Sequence, residues 1–281
     1  MERETETLDR DVPLGMSSIQ TIVAERLEAV QGEIGRVIVS DFGMIKEVNE
    51  CLLSMKGKLF RPTLVLLANE VGEEPSEDAV TLGALVELVH LATLVHDDAV
   101  DHSVLRRGLP TVNALWTHQV AVIMGDYLYS RSVSELVRMK KYLALSVLAN
   151  AANQMSIGEM RQLTSVDALE FSEEDYSRLI ECKTASLISA ACEIGSLDGA
   201  TQHSQSLADY GHNLGMAFQI ADDLLDYRGK EEITGKPSGQ DLRERKVTLP
   251  LVASLSRMSK VELRETKKFF TLAQPTDRDI E

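Results

Sequence analysis

The stretch that decides the fold is Glu87-Leu-Val-His-Leu-Ala-Thr-Leu-Val-His-Asp-Asp-Ala-Val-Asp101. It is typical of the end of a long apolar helix, which we expect to begin near Ala79. Asp97 and Asp101 are four residues apart, so on a helix they lie one turn apart on the same face. Like charges at that spacing repel each other unless a cation lies between them. The stretch therefore indicates a cation site at the end of a buried helix.

A second copy of this arrangement follows another apolar helical run, at Phe218-Gln-Ile-Ala-Asp-Asp-Leu-Leu-Asp-Tyr227. Asp222 and Asp226 are again four residues apart. Two such clusters, each at the end of a helix that we expect to be buried, predict facing walls of carboxylates that hold divalent metal. Mg²⁺ is the expected ion, because it usually takes one or two carboxylates together with substrate phosphates.

Composition limits the class of protein. A chain of 281 residues with 44% apolar content can bury the core of one large domain, or two at most. A net charge of −15 argues against nucleic acid as a partner. Cys51, Cys182 and Cys192 form no C-x-x-C pair and are typical of buried thiols in a reducing cytosol. No uninterrupted apolar run is long enough for a transmembrane segment, and the N-terminus is too acidic for a signal peptide. We therefore expect a cytoplasmic globular protein.

The fold predicted from periodicity is all-α. Residues 1–14 are charged and aperiodic and are expected to be a mobile leader, and residues 15–281 are expected to form one all-helical domain. Thr111 is expected to cap a helix. Helices are predicted at 17–39, 44–55, from Pro62, at 78–102, 112–138, 140–164, 173–197, 201–229, 239–257 and 259–272, with a loop at 106–110 and no convincing strand. Strong helix formers with short breaks predict a bundle of roughly ten helices.

Basic residues accompany both acidic clusters, although the protein as a whole is acidic. Lys58 and Arg61 stand at a helix start, where the helix dipole also favours an anion. The others are Arg106 and Arg107 after the first cluster, Lys183 inside a helix, and Lys236 and Lys246 after the second cluster. Arg gives phosphate bidentate contacts and Lys gives it a point charge. The pattern predicts a phosphate-bearing substrate bridged to the carboxylates by Mg²⁺.

Taken in order, these motifs resemble the trans-type polyprenyl diphosphate synthases, the polyprenyl synthetase family. The motifs are Gly57-Lys-Leu-Phe-Arg-Pro62, Asp97–Asp101 followed by Arg106-Arg107-Gly108, Gly125-Asp126, Lys183-Thr184, Phe218–Asp226, Gly235-Lys236-Pro237 and Asp241–Pro250. Each is weak alone, but the ordered set is highly specific. The chain departs from the usual pattern in having Lys56-Gly57-Lys58 for Gly-Gly-Lys and Glu244-Arg245-Lys246 for Glu-Gly-Lys.

The resemblance implies an all-helical isoprenoid synthase bundle around a central cavity, usually a homodimer. It implies that Asp97, Asp101 and Asp222, and Asp226 less directly, bind the Mg²⁺ ions that hold an allylic diphosphate. It assigns Arg106, Lys183, Thr184, Gln219, Lys236 and Lys246 to that diphosphate, and Lys58, Arg61, His90 and Arg107 to isopentenyl diphosphate. The catalytic set it implies is Asp97, Asp101, Lys183 and Asp222. Most members also carry terminal helices beyond the point that corresponds to Glu281.

The activity implied is that of a prenyltransferase. Mg²⁺ and cationic side chains stabilise the charge on the departing diphosphate, so that the allylic C–O bond ionises. The double bond of isopentenyl diphosphate, held alongside, then attacks the allylic cation. The family assigns the final proton transfer to the released diphosphate. Transient membrane contact is expected only during product release.

Product length should depend on the depth of an apolar slot below Asp97. Side chains lean towards the helix N-terminus, so helical phase puts Thr93, and then His90, beneath Asp97. The family rule instead emphasises Ala92, with its neighbour Thr93. Both are small, so either interpretation leaves the slot open and predicts a hepta- to decaprenyl product, with a floor at Met124, Met155 or Leu163.

Several alternatives stand beside this hypothesis. A short-chain (farnesyl or geranylgeranyl) diphosphate synthase shares the same motifs. A non-catalytic subunit of a heteromeric prenyl synthase usually loses carboxylates or basic residues, and here all are present. A terpene cyclase typically replaces the second cluster, whereas this chain keeps Asp222-Asp223-x-x-Asp226. A divalent-ion buffer would need oxygen-rich loops, which the sequence lacks.

Overall fold

The computed structural model of the protein describes residues 15–55, 57–72, 74–106, 108–164, 171–228, 239–244, 246–272 and 276. The leader predicted at 1–14 lies outside these residues. The first helices are α1 (Met16–Gln20), α2 (Ala24–Val37), α3 (Gly43–Ser54), α4 (Phe60–Asn69), α5 (Asp78–Val100), α6 (Val112–Leu115) and α7 (His118–Arg138). They are followed by α8 (Tyr142–Thr164), α9 (Glu173–Ile180), α10 (Ser186–Ser196), α11 (Ser204–Arg228), α12 (Gln240–Arg243), α13 (Leu249–Leu255) and α14 (Lys260–Thr271). The all-α prediction is confirmed.

Short 3₁₀ and π-helical turns lie next to the α-helices, and two of the predicted helices, 17–39 and 173–197, are interrupted by such a turn. The 3₁₀ turns Thr21–Val23 and Thr201–His203 precede α2 and α11, and a π-helical turn, Glu181–Ala185, separates α9 from α10. The helix predicted at 173–197 is therefore not regular throughout. The segment predicted as one helix at 239–257 is two helices, with Pro250 in the first turn of α13, where proline is tolerated.

The region between α5 and α7 differs most from the prediction. The expected loop is a small antiparallel hairpin, β1 (Leu105–Arg106) and β2 (Leu109–Pro110), with Gly108 at φ +77°, a backbone conformation that favours glycine. Thr111 caps α6 as predicted, its hydroxyl accepting from the Ala114 amide at 3.1 Å. The helix predicted at 112–138 breaks because Thr117 caps α7 with a second bond of this kind.

The core is organised around α5. Helices α2, α4, α7 and α10 all pack against it. Its apolar side chains on every side are buried, among them Leu82, Leu85, Val86 and Leu88. By length and composition α5 would also suit a membrane span, with a mean hydropathy of 1.6 over its most apolar window, and 56% of that window is buried inside the protein. A helix that is apolar all round is typical of a core helix as well as of a membrane span, and here it is the core.

Close backbone contacts hold α10 between α4 and α11. A Cβ atom on Gly195 of α10 would lie 2.1 Å from the carbonyl oxygen of Val65 in α4. A Cβ atom on Gly215 of α11 would lie 2.5 Å from the Cα of Ala185. Only glycine allows these approaches, and they fix the π-helical turn against α11.

Replacing Gly195 with alanine should therefore destabilise the protein. The new methyl group would meet backbone rather than a movable side chain, and we expect the free energy of unfolding to fall by about 3 kcal/mol. Urea denaturation of Gly195→Ala measures the change. The matched control is Gly32→Ala in α2, where a Cβ meets nothing within 4 Å and should stabilise the helix by up to about 1 kcal/mol. Equal stability of the two variants would contradict the packing argument.

Candidate active site

The first acidic wall lies at the C-terminal end of α5. Asp97 is half-buried and Asp101 is exposed, and the Asp101 amide donates to the Asp97 carbonyl at 2.8 Å. Burial raises the pKa of the Asp97 carboxyl to about 6, while the neighbouring Lys183 ammonium acts in the opposite direction. Glu159 and Asp101 raise this pKa further. The wall is therefore a place where negative charge is crowded and partly desolvated.

The middle aspartate of this cluster has a different surrounding. Asp98 is buried. Arg106 Nε donates hydrogen bonds to both of its carboxylate oxygens, at 3.0 and 2.9 Å. A second guanidinium nitrogen lies 2.9 Å from Oδ1. This bidentate pair ties the β1–β2 hairpin to the end of α5. It also places the predicted phosphate ligand Arg106 beside the first wall.

The second wall lies at the C-terminal end of α11, where Asp222 is exposed and Asp223 is buried. Asp223 accepts hydrogen bonds from the Tyr176 hydroxyl at 2.5 Å and from Gln219 Nε2 at 2.8 Å. The Oε1 atom of Gln219 accepts in turn from the Thr184 hydroxyl at 2.8 Å. This chain of hydrogen bonds connects α9, α11 and the π-helical turn, and it joins two residues that the sequence assigned to one diphosphate.

Asp226 lies one turn further along α11 and contacts the start of α12. Its carboxylate accepts from the backbone amides of Gln240 at 3.2 Å and Asp241 at 3.1 Å, and its carbonyl accepts from the Gly239 amide at 2.9 Å. Burial raises the pKa of the Asp241 carboxyl to about 7, and the carboxylates of Asp226 and Asp223 add to that effect. The second wall thus includes a carboxylate, Asp241, that the sequence analysis did not assign to the site.

Lys246 connects the two walls electrostatically. It pairs with Glu244 at 2.6 Å, and its amide donates to the Asp241 carbonyl at 2.8 Å. Burial lowers the pKa of the Lys246 ammonium, but the carboxylates of Glu244, Asp101 and Asp241 outweigh burial and raise it overall. Asp101 belongs to the first wall and Asp241 to the second. The charges of Asp101, at the end of α5, and of Asp241, beside Asp226, therefore both act on the Lys246 ammonium.

Lys183 and Thr184 lie in the π-helical turn, a local geometry that often occurs at functional sites. The Lys183 ammonium lies 2.5 Å from a carboxylate oxygen of Glu159 and donates to Gln162 Oε1 at 3.0 Å. Sequence reasoning missed Glu159 and Gln162, and their only signal was three-residue spacing on one face of α8. A Cβ atom on the adjacent Gly158 would lie 2.8 Å from Cys182, so α8 and the turn are in close contact.

The segment before α4 contributes a second group of predicted residues. The Lys58 carbonyl accepts from Gln20 at 2.8 Å, and Lys58 itself is exposed. Burial lowers the pKa of the Arg61 guanidinium, against the attraction of Glu87 on α5. Nε of Arg61 is buried and has no hydrogen-bond partner among the described residues.

The predicted ligand His90 is half-buried on α5, three residues after Glu87. Arg107 and Lys236, also predicted ligands, lie outside the described residues.

The residues predicted to control product length lie deeper on α5. Ala92 is buried at 2% exposure, and the Thr93 hydroxyl donates to the His90 carbonyl at 2.7 Å. Among the side chains named as a floor, Met124 and Met155 are buried, whereas Leu163 is 56% exposed. Leu163 is therefore the least suited of the three to close a buried slot.

The acidic side chains suit a divalent ion only in combination with a ligand. Among the residues that the structure describes, no three His, Cys, Asp or Glu side chains converge as a preformed metal site. Asp97 and Asp101 instead offer carboxylate oxygens at the end of α5, and Asp222 offers them near the end of α11. That donor set fits an ion of the Mg²⁺ type, which takes one or two carboxylates and completes its shell with phosphate oxygens and water.

Comparisons with known proteins identify the family of the chain. The profile of the family described as polyprenyl synthetase matches residues 43–280. Octaprenyl diphosphate synthase of Escherichia coli (strain K12) is 39% identical over 245 residues, covering 86% of this chain and 76% of the relative. Heptaprenyl diphosphate synthase component 2 of Geobacillus stearothermophilus is 37% identical over 243 residues, with the same coverage of each chain. The chain belongs to the polyprenyl synthetase family, and the prediction that it is a prenyltransferase is confirmed.

Two further relatives bear on the ligands and on the product. The polyprenyl synthase of Caulobacter crescentus CB15, solved with calcium and isoprenyl diphosphate, has a TM-score of 0.88 and 34% identity over 95% of this chain and 82% of that one. That relative thus holds a divalent cation and an isoprenyl diphosphate in one structure. A short chain isoprenyl diphosphate synthase of Methanothermobacter thermautotrophicus is 39% identical over 219 residues, covering 75% of this chain and 67% of the relative. Overall identity therefore does not separate long-chain from short-chain members.

The hydrogen bond between Tyr176 and Asp223 should stabilise the second wall. Replacing Tyr176 with phenylalanine leaves a buried carboxylate with one donor fewer, and we expect the free energy of unfolding to fall by about 2 kcal/mol. Urea denaturation at neutral pH measures it. The matched control is Tyr210→Phe, at an exposed tyrosine of α11, where a change within about 0.5 kcal/mol is expected. A Tyr176→Phe variant as stable as this control would show that the bond contributes nothing to the fold.

Proposed function

We propose that the protein condenses isopentenyl diphosphate head-to-tail onto an allylic prenyl diphosphate, with Mg²⁺ between the two acidic walls, to give a hepta- to decaprenyl product. One observation carries the proposal: basic residues are attached to both aspartate clusters, Arg106 by its ion pair with Asp98 and Lys246 by the hydrogen bonds that connect it through Asp241 to Asp226. Acidic clusters with basic residues beside them suit a diphosphate held between carboxylate-bound metal ions and cationic side chains. The similarity to hepta- and octaprenyl diphosphate synthases supports the same substrates.

The proposed allylic site uses Asp97, Asp101 and Asp222 as metal ligands, with Asp226 less directly involved. When bound, Mg²⁺ would act as a Lewis acid on the diphosphate and favour its departure. Lys183 and Lys246 add positive charge beside the same leaving group, and Arg106 adds it from the hairpin. Thr184 and Gln219 are already hydrogen-bonded to each other, so they offer prearranged polar contacts. Lys236 completes the proposed set.

The proposed site for isopentenyl diphosphate uses Lys58, Arg61, His90 and Arg107. Its strongest support is Arg61, because its buried Nε has no hydrogen-bond partner among the described residues, which is costly unless a ligand satisfies it. A diphosphate oxygen is a suitable acceptor, since guanidinium–phosphate bonds are among the strongest hydrogen bonds in proteins. Phe60 stacks on Phe218 with ring centroids 5.4 Å apart, which holds this segment against α11. The attacking alkene would therefore lie beside the allylic site.

The proposed long-chain product follows from the small side chains at positions 92 and 93. A growing prenyl chain must lie along apolar surface, and Ala92 occupies little volume in the wall of α5. A bulky residue there would close the slot after a few isoprene units, as expected for a short-chain synthase. We propose Met124 and Met155 as the deeper limit, since both are buried and methionine adapts to irregular gaps.

We propose that residues 15–281 form one domain and that the active species is a cytoplasmic homodimer. The hydroxyl of Tyr127 on α7 donates to the carbonyls of Ile38 and Val39, so this connection lies against α7. Nearby, Ile123 and Phe42 are each 62% exposed, as expected for an interface. The name of one relative, component 2, points to a heteromeric alternative. Sedimentation velocity of the pure chain gives its oligomeric state and separates the two alternatives. A pure chain that sediments as a monomer and is inactive in the assay would refute the homodimer.

The activity itself is the direct test. The purified chain is incubated with Mg²⁺, labelled isopentenyl diphosphate and farnesyl diphosphate, and the products are separated by length. We expect hepta- to decaprenyl products, and Asp97→Ala should reduce turnover by at least about a thousandfold because a metal ligand and its charge are lost. Asp41→Ala, at an exposed aspartate between α2 and α3, is the matched control and should retain wild-type turnover. No elongation by the wild type would refute the proposed function, and active Asp97→Ala would refute the metal assignment.

Replacing Ala92 with phenylalanine should shorten the product, because the ring would fill the slot that the growing chain occupies. We expect products to stop at farnesyl or geranylgeranyl length while turnover of the first condensation continues. Product analysis, with a melting curve to establish that the variant is folded, measures the change. Ala29→Phe places the same ring at an exposed position of α2 and should leave the products unchanged. An unaltered length distribution in folded Ala92→Phe would remove Ala92 from the wall of the slot.

A further inference from the structure

The third aspartates of the two clusters have different surroundings. Asp101 is exposed at the end of α5. Asp226 is half-buried, and backbone amides of a different segment donate to both of its carboxylate oxygens, Gln240 to Oδ1 at 3.2 Å and Asp241 to Oδ2 at 3.1 Å. Equal spacing in the sequence therefore does not give the two residues equal surroundings.

A third contact makes this attachment specific. The amide of Gly239 donates to the carbonyl of Asp226 at 2.9 Å, so three consecutive residues are bound by one aspartate. Gly239 is buried and adopts φ +77°, which favours glycine and aims successive amides at a common acceptor. Amide bonds to a carboxylate are charge-assisted and stronger than those between neutral groups. The attachment is therefore a strong local constraint on the start of α12.

The attached segment leads directly to Lys246. The amide of Lys246 donates to the carbonyl of Asp241 at 2.8 Å, so the backbone of Lys246 is held by a residue that Asp226 holds. A continuous series of hydrogen bonds thus runs from Asp226 through Asp241 to the backbone of Lys246. The Lys246 ammonium pairs with Glu244, and the charge of Asp101 also acts on it.

We propose that Asp226 is a positioning residue: it fixes residues 239–241 to the end of α11 and so holds Lys246, whose amide is bonded to Asp241, where it binds the allylic diphosphate, instead of binding metal directly. This inference rests on the proposed function. It gives a physical reason for a third aspartate in the second cluster, since only a short acceptor at this position reaches two neighbouring amides. It also makes the two clusters unequal, with more of the metal-binding role in Asp97, Asp101 and Asp222.

The test compares Asp226→Asn with Asp226→Ala. Asparagine keeps one short oxygen acceptor, enough for one of the two side-chain bonds, whereas alanine keeps neither. We expect the KM for the allylic diphosphate to rise about tenfold in Asp226→Ala and to stay within about threefold of wild type in Asp226→Asn. The concentration of Mg²⁺ needed for half-maximal activity should not change in Asp226→Asn. For comparison, Asp222→Asn, at a proposed metal ligand, should raise that concentration.

A second pair of measurements separates positioning from simple stabilisation. The double variant Asp226→Ala/Lys246→Ala should have a KM within about twofold of Lys246→Ala alone, because the first change acts through the second residue. In the metal-free protein, hydrogen exchange of the amides of residues 239–241 should be fastest in Asp226→Ala and intermediate between that variant and wild type in Asp226→Asn. The exchange experiment needs neither turnover nor metal.

Three results would overturn the inference. Asp226→Asn as damaging as Asp226→Ala, with a raised Mg²⁺ requirement, would make Asp226 a direct metal ligand. Unchanged exchange in Asp226→Ala would mean that the carboxylate does not hold the segment. If the rise in KM of the double variant equals the product of the rises in Asp226→Ala and Lys246→Ala, the two residues act independently. An inactive wild-type protein would instead refute the proposed function, and the exchange experiment would still decide whether Asp226 fixes the segment.

Discussion

The site depends on carboxylates that are buried at the ends of rigid helices, where neighbouring carboxylates add repulsion. Asp97 cannot move away from Asp101, because α5 is packed on all sides and ends at that point. Burial adds to the repulsion by raising the free energy of the charged form. The protein offsets this with ammonium groups from distant segments, Lys183 from the π-helical turn and Lys246 from the segment after α12. A metal cation bound together with a diphosphate would reduce the repulsion between the carboxylates further. Substrate binding would then lower the electrostatic free energy of the site.

Each cluster divides its aspartates between two tasks by helical phase. Residues four apart share a face, whereas the residue after the first lies about 100° around the helix and points towards the neighbouring elements. Asp98 and Asp223 occupy that second face, and both are buried and hydrogen-bonded, Asp98 to Arg106 and Asp223 to Tyr176. The middle aspartates thus fasten the walls to the rest of the protein. The same short sequence supplies both the reactive face and its support.

Much of the fold could be predicted from the sequence, because helical periodicity and capping are local. The caps at Thr111 and Ser259 lie where polar residues precede apolar runs. The β1–β2 hairpin was missed, since two-residue strands carry no periodicity. The π-helical turn was also missed, because it lies in close contact with two other helices. Gly158 of α8 and Gly215 of α11 each allow their helix to approach this turn. Such contacts are tertiary and leave only isolated glycines in the sequence.

The same distinction explains which parts of the site could be predicted. Lys183 and Thr184 were found because a family motif marks them, whereas Glu159 and Gln162 come from a helix with no acidic cluster of its own. Only the approach of α8 to the π-helical turn brings these partners to Lys183. In the proposed site, Glu159 would orient Lys183 before substrate binds, and the lysine would then exchange that partner for a diphosphate. The charge of Glu159 would favour selection of a strongly anionic ligand, since a weaker anion would not displace it.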